Sequence, residues 1–207
     1  MIKRALGLLL LLVLFACSAE KHAAIPQGSN VLALGDSVTY GTGAEASESY
    51  PELLAAKTGW RVINAGVAGN TSADALTRLP ELLEQHTPRL ILVELGGNDF
   101  LRHVALQETI ANLKAVLSLA KAHGIPVVLV AVPRPNLLGA AVGHLSDDPI
   151  YQTISRETGT PVVKNVLSDV LSQNTLKSDP IHPNAQGYRR MANELALALQ
   201  ELGFSER

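Results

Sequence analysis

Five short apolar runs rich in β-branched residues punctuate the sequence at regular intervals: NVLALG (30–35), RVINAG (61–66), RLILVELG (89–96), IPVVLVAV (125–132) and TPVVKNV (160–166). Each run is continuous rather than alternating. A strand with one wet face needs a polar residue at every second position, so continuity points to strands covered on both faces. Helical patterns fill the gaps. In residues 107–123, Ile110, Leu113, Val116, Leu117 and Ala120 fall on one face, and Gly124 then Pro126 stop the helix. Tyr188, Met191, Leu195, Leu199 and Leu202 repeat that spacing near the C-terminus. Strand and helix in alternation predict βαβ units and a parallel sheet between two helix layers. A chain of 207 residues supplies one such core rather than two, and it carries no internal repeat or low-complexity tract.

This architecture locates a site before any motif is considered. In open α/β sheets, ligands sit beyond the carboxyl ends of the strands, where the strand order reverses. Here those ends run into Gly35-Asp36-Ser37, into Asn64-Ala65-Gly66 through Gly69-Asn70-Thr71, into Gly96-Gly97-Asn98-Asp99, and into Pro133-Arg134-Pro135-Asn136. All of these loops belong to one rim.

Ser37 stands where an apolar strand breaks into a flexible loop. Ser and Asp are also ordinary turn residues, so the stretch alone decides nothing. A hydroxyl becomes a nucleophile when a base takes its proton and a third group orients that base. Of the six histidines, His22, His86, His103, His123 and His144 lie in an N-terminal tether, near helix ends or in loops. His182 differs: in SDPIHPNAQGY, Asp179 precedes it by three residues and Pro183 stiffens the turn into the last helix. Residues three apart on such a turn point the same way, so Asp179 is placed to hold one imidazole nitrogen while the other faces Ser37. The competing reading is an aspartate that caps a helix beside a surface histidine. Acyl transfer also needs donors aimed at a developing oxyanion. Gly69 in AGVAGNTS offers a backbone N–H and Asn98 in LGGND a side-chain amide, although both pairs are common in loops.

Taken together, the four blocks GDSVTYGTG, NAGVAGNTS, VELGGNDFLR and DPIHPNAQGY resemble, in order and spacing, those of the SGNH (GDSL) hydrolases, and with the VLAL that runs into the first they span residues 31–188. The resemblance implies a flavodoxin-like three-layer sandwich whose five parallel strands run in the order 2-1-3-4-5, and no metal or organic cofactor. It implies Ser37, His182 and Asp179 as catalytic residues, with the Ser37 and Gly69 backbone N–H groups and the Asn98 amide as oxyanion hole. The stretch LTRLPELLEQHTPRLILVELGGNDFLR is similar to the thioesterase, lysophospholipase and arylesterase branch, which implies broad hydrolysis of acyl esters and thioesters. One departure is Ser37-Val38-Thr39, where a leucine usually follows the serine. The nucleophile does not lie in G-x-S-x-G, so the strained elbow of the α/β-hydrolases is not expected. Asp36 and Asp99 read as loop-bracing acceptors. H-E-x-x-H and paired cysteines are absent from the sequence, which leaves metal hydrolysis without ligands.

The N-terminus adds a location. Lys3 and Arg4 precede an apolar run from Ala5 to Phe15, followed by Ala16 and Cys17. A basic start and a run shorter than the ~20 residues a membrane span needs describe a secretory signal. LFAC resembles the bacterial lipoprotein signal, cut before a lipid-bearing cysteine, although Phe15 is larger than usual there. The expected division is a signal peptide over 1–16, a lipidated Cys17 with a polar tether over 17–28, and the hydrolase domain over 29–207. Cys17 is the only cysteine, so the body has no disulfide and no cysteine nucleophile. Loss of Lys3 and Arg4 takes the basic residues from 17 to 15 against 19 acids, a mildly acidic chain unsuited to nucleic acid.

The expectation is a monomeric, lipid-anchored serine esterase of the bacterial envelope, acting on small acyl-ester or lipid substrates. The apolar, Gly-rich segment PNLLGAAVGHL (135–145) is the candidate acyl channel, with Leu137, Leu138 and Val142 as lining residues; a loop packed on the core is the alternative. Two rivals stand beside this reading: a carbohydrate or cell-wall O-acetylesterase, and a non-catalytic surface lipoprotein.

Overall fold

The computed structural model describes residues 22–134 and 143–205. Strands β1 (Asn30–Gly35), β2 (Arg61–Gly66), β3 (Leu90–Glu94), β4 (Val127–Val130) and β5 (Val162–Val163) form one sheet. All neighbours are parallel, in the order β2-β1-β3-β4-β5. This is the topology implied by the family resemblance. The order reverses between β1 and β3, and Ser37 and Asn98 follow those two strands directly.

Among the described residues the helices are α1 (Ser37–Tyr40), α2 (Tyr50–Thr58), α3 (Ser72–His86), α4 (Gly97–Leu101), α5 (Leu106–Ala122), α6 (Pro149–Thr158), α7 (Val166–Leu171) and α8 (Ala185–Glu201). Helices α2, α7 and α8 pack together as one layer and α3, α5 and α6 as the other. The sheet between them is dry: Leu32, Leu34, Leu92, Val128 and Leu129 are fully buried, each worth on the order of 1.5–3 kcal/mol. The helical faces read from the sequence supply the other half of the core, with Leu113, Val116, Met191, Leu195 and Leu199 fully buried.

Three expected runs are longer than the strands they form, β5 most of all. Pairing starts where Leu129 N–H donates to Pro161 O, and Asn165, in the left-handed conformation at φ 66°, turns the chain into α7 before the strand can lengthen. The N-terminal boundary also lies earlier than Gly28. His22 N–H donates to Leu202 O, its ring stacks on Phe204 at 4.3 Å, Ile25 is buried, and Trp60 Nε1 donates to Ile25 O. Residues 22–28 are thus packed on the domain rather than hanging from it, because Ile25 and Trp60 close the amino-terminal end of the sheet. No helix among the described residues is long and apolar enough to cross a membrane.

Candidate active site

The first corner of the site is the turn from β1 into α1. Gly35 must lack a side chain, since a Cβ there would lie 1.9 Å from Thr39 Oγ1 and 2.8 Å from Glu94 O. That vacancy lets the short helix fold back over the strand end, with Ser37 as its first residue. Asp36 caps it, Oδ1 accepting from Val38 N–H at 3.0 Å. Thr39, fully buried, donates to Glu94 Oε2 at 2.9 Å and lies 2.9 Å from the Tyr50 hydroxyl. Burial, reinforced by the charge of nearby Asp36, pushes the Glu94 carboxyl well above its ordinary range. Its Oε1 has no partner among the described residues.

The second corner is the turn before α8. Asp179 Oδ1 accepts from the N–H groups of Ile181 and His182 at 2.8 and 2.9 Å, an Asx-type turn that fixes its carboxylate. Its Oδ2 lies 2.7 Å from His182 Nδ1, and His182 Nε2 lies 2.9 Å from Ser37 Oγ. A carboxylate only accepts, so Nδ1 carries the proton and Nε2 accepts from the Ser37 hydroxyl. Burial acts to raise the Asp179 carboxyl, but the hydrogen bonds from His182 and Ile181 outweigh it and hold the group below its usual range. Asn184 then caps α8 through Gln186 and Gly187 N–H.

Between these corners lie the candidate oxyanion donors. Gly69 adopts φ 82°, which only glycine does without strain, and its carbonyl accepts from Arg102 Nη2 at 2.7 Å. Among the described residues, neither the Ser37 nor the Gly69 N–H has an acceptor. Asn98 is different: its Nδ2 donates to Asp36 Oδ2 and to Asn70 O, both at 3.0 Å. Both amide hydrogens are therefore engaged, so a further acceptor at Asn98 would have to share one of them. The two aspartates read as loop braces diverge here. Asp99 is turned away, accepting from Ser72 N–H and Thr109 Oγ1 at the start of α3 and on α5. Asp36 braces its loop and also fixes Asn98, and burial pushes its carboxyl up to about 6 against the opposing pull of Val38 N–H, His182 and Asn98.

A cleft opens beside Ser37, Asn98 and His182, walled by Leu101, Val132, Leu145, Leu167, Leu171 and Ile181. Arg134 stands at its edge over the Phe100 ring at 5.2 Å, its guanidinium paired with buried Asp148 at 2.8 Å. The proposed channel residues Leu137, Leu138 and Val142 lie outside the described residues, as does Cys17. Sequence reasoning did not single out Glu94, Arg78 or Arg102. The acid inside the apolar run RLILVELG was the one visible signal among them.

Residues 33–190 match the GDSL-like lipase/acylhydrolase family. The chain is 36% identical over 177 residues to thioesterase 1/protease 1/lysophospholipase L1 of Escherichia coli, covering 83% of this chain and 84% of that protein. It is 32% identical over 197 residues to an arylesterase of Vibrio mimicus, covering 92% and 96%. The crystal structure of esterase EstA from Pseudoalteromonas sp., inhibited by monoethylphosphonate, superposes with a TM-score of 0.72 at 27% identity, covering 84% of this chain and 97% of that one.

Proposed function

The chain belongs to the GDSL-like lipase/acylhydrolase family, and from that premise we propose that it is a serine esterase in which Ser37, His182 and Asp179 form the catalytic relay. The supporting observation is the unbroken path Ser37 Oγ–His182–Asp179, at 2.9 and 2.7 Å, beside an apolar cleft. Ser37 Oγ attacks the acyl carbonyl as its proton passes to His182 Nε2. The carbonyl oxygen takes the electron pair and is met by the Ser37 and Gly69 N–H groups and one shared hydrogen of Asn98. Collapse of the tetrahedral intermediate expels the alcohol or thiol, which leaves with the proton from Nε2. Water then repeats the sequence on the acyl-enzyme, with His182 again as base. Asp179 keeps the productive tautomer and stabilises the imidazolium. Likeness to the thioesterase/lysophospholipase of E. coli and the arylesterase of Vibrio mimicus supports a scope that takes in aryl esters, thioesters and lysophospholipids.

Hydrolysis of acetyl, butyryl, octanoyl and longer p-nitrophenyl esters, alongside matched thioesters, tests this reading. The apolar walls predict a preference for chains longer than acetyl. Turnover confined to acetyl esters of saccharides would replace the reading with an O-acetylesterase, and no turnover of any ester would remove it.

The envelope location is part of the same proposal. The basic start, the Ala5–Phe15 run and Cys17 support cleavage after residue 16 and lipidation of Cys17. His22 is already packed on the domain, so the tether expected over 17–28 would end before that residue. Labelled palmitate should enter the wild-type chain and not Cys17→Ser; an unlabelled wild type, or another mature start, overturns the anchor.

A further inference from the structure

One basic side chain of α3 turns back toward the sheet edge. Arg78, half-buried, donates from Nη2 to Gly35 O at 3.0 Å and from Nε to Asn70 Oδ1 at 2.9 Å. Gly35 precedes Ser37 by two residues, and Asn70 follows Gly69. The Asn70 carbonyl is also one of the two acceptors that hold the Asn98 amide. Asp74, one helical turn before Arg78, is occupied by Thr71, whose N–H and hydroxyl donate to it at 2.9 and 2.8 Å. The guanidinium fork is thus directed to the two loops rather than along its own helix. A planar fork sets the distance and the angle between its two acceptors, which a flexible ammonium cannot do.

We propose that Arg78 is a positioning residue for acyl transfer, holding the Ser37 and Gly69 loops at the separation an oxyanion requires. The proposal rests on the esterase reading above. Small displacements of a donor matter: a shift of about 1 Å in a reacting array costs roughly 10²-fold in rate.

Kinetics on a soluble aryl ester, at a temperature where each variant is fully folded by circular dichroism, decide the matter. Arg78→Met should lower kcat by roughly 10- to 10²-fold and leave KM within about twofold, since the donors act mainly in the transition state. Arg78→Lys should fall between wild type and Arg78→Met, because it serves one acceptor and not both. In an Asn98→Ala background the Arg78→Met loss should shrink, as expected for residues that build one hole. A folded Arg78→Met with unchanged kcat, a loss confined to KM, or a full additive loss on Asn98→Ala overturns the role. If Arg78→Met does not fold, Asn70→Ala, which removes the Nε acceptor, decides: a kcat loss supports the role and wild-type kcat overturns it. Ser37→Ala is the control for the reading beneath. Where it abolishes turnover, a failure at Arg78 leaves the esterase assignment standing; where it does not, the esterase assignment itself falls.

Discussion

Ser37 sits on a corner built from residues distant in sequence, whereas His182 sits on a turn that residues 178–184 hold almost alone. Around Ser37 the partners are Glu94, Asn98 and Arg78, which reach the β1–α1 turn across the sheet edge. Around His182 the bonds are local: Asp179 to Ile181 and His182, and Ser178 N–H to His182 O. The carboxylates differ accordingly. Asp36 is 3% exposed, whereas the Asp179 side chain is 44% exposed. A buried charge is desolvated and opposes folding unless its partners compensate, while an exposed one costs little. The carboxylate proposed for the relay thus lies where ionisation is easy, and the one that holds the Asn98 amide lies where geometry is rigid.

The strongest attack on this contrast is Ser37→Ala. It should lower kcat by about 10⁶-fold on a p-nitrophenyl ester, leaving the residual rate of binding and donors. Retention of near-wild-type turnover by a folded variant would remove the nucleophile from the first corner. Next comes the choice between the carboxylates. Asp179→Asn should cost roughly 10²–10⁴-fold in kcat, through the wrong tautomer and an unstabilised imidazolium. Asp36→Asn should cost less, about 10-fold, because it only loosens Asn98. A reversal of that order, with both variants folded, would make Asp36 the orienting group and undo the comparison.

The same contrast explains what the sequence discloses. Asp179 and His182 are three residues apart, so their partnership is written in a spacing. The strand runs and helical faces are legible for the same reason, since periodicity is local. Glu94, Arg78 and the Asp36–Asn98 bond are not, because they join β3 to α1, α3 to β1, and β1 to α4, and no spacing encodes a contact made across a sheet edge. The shortness of β5 is hidden similarly: the left-handed, exposed Asn165 donates its N–H to Asp147 Oδ2 at 2.7 Å, a contact from outside the run that TPVVKNV does not encode.

Asn98→Ala sharpens the picture of the corner between the two. A free oxyanion donor is worth roughly 10²–10³ in kcat. Here both amide hydrogens already have acceptors, so the ground state competes with the transition state, and a loss near about 10²-fold with KM little changed is expected. A rise in KM with kcat preserved would make Asn98 a binding residue.

The smallest expected effect concerns stability and centres on Asp36. Its carboxyl titrates at about 6 in the folded chain against an ordinary 3.8, chiefly because of burial. The folded state therefore holds the proton more tightly than the unfolded chain. The stability this confers is fully present below about 3.8, is lost as pH rises through about 6, and is absent above. Two units correspond to roughly 3 kcal/mol, an upper figure because Glu94 titrates in the same direction and is linked to Asp36. Asp179 has the opposite sign, its lowered carboxyl stabilising above 3.8 and losing that contribution as pH falls. An asparagine at 36 has one acceptor atom and so serves Val38 or Asn98 but not both, which gives the variant a constant offset. The difference between wild type and Asp36→Asn cancels the groups that do not feel the Asp36 charge, and what remains is the titration of Asp36 together with its linked neighbour Glu94. Urea midpoints at intervals from pH 4 to pH 7 should show that difference moving in favour of the variant by roughly 1–3 kcal/mol, with the change centred between pH 4 and 6. Parallel curves would mean that Asp36 ionises without penalty, and the rigid, desolvated corner that separates it from Asp179 would not exist.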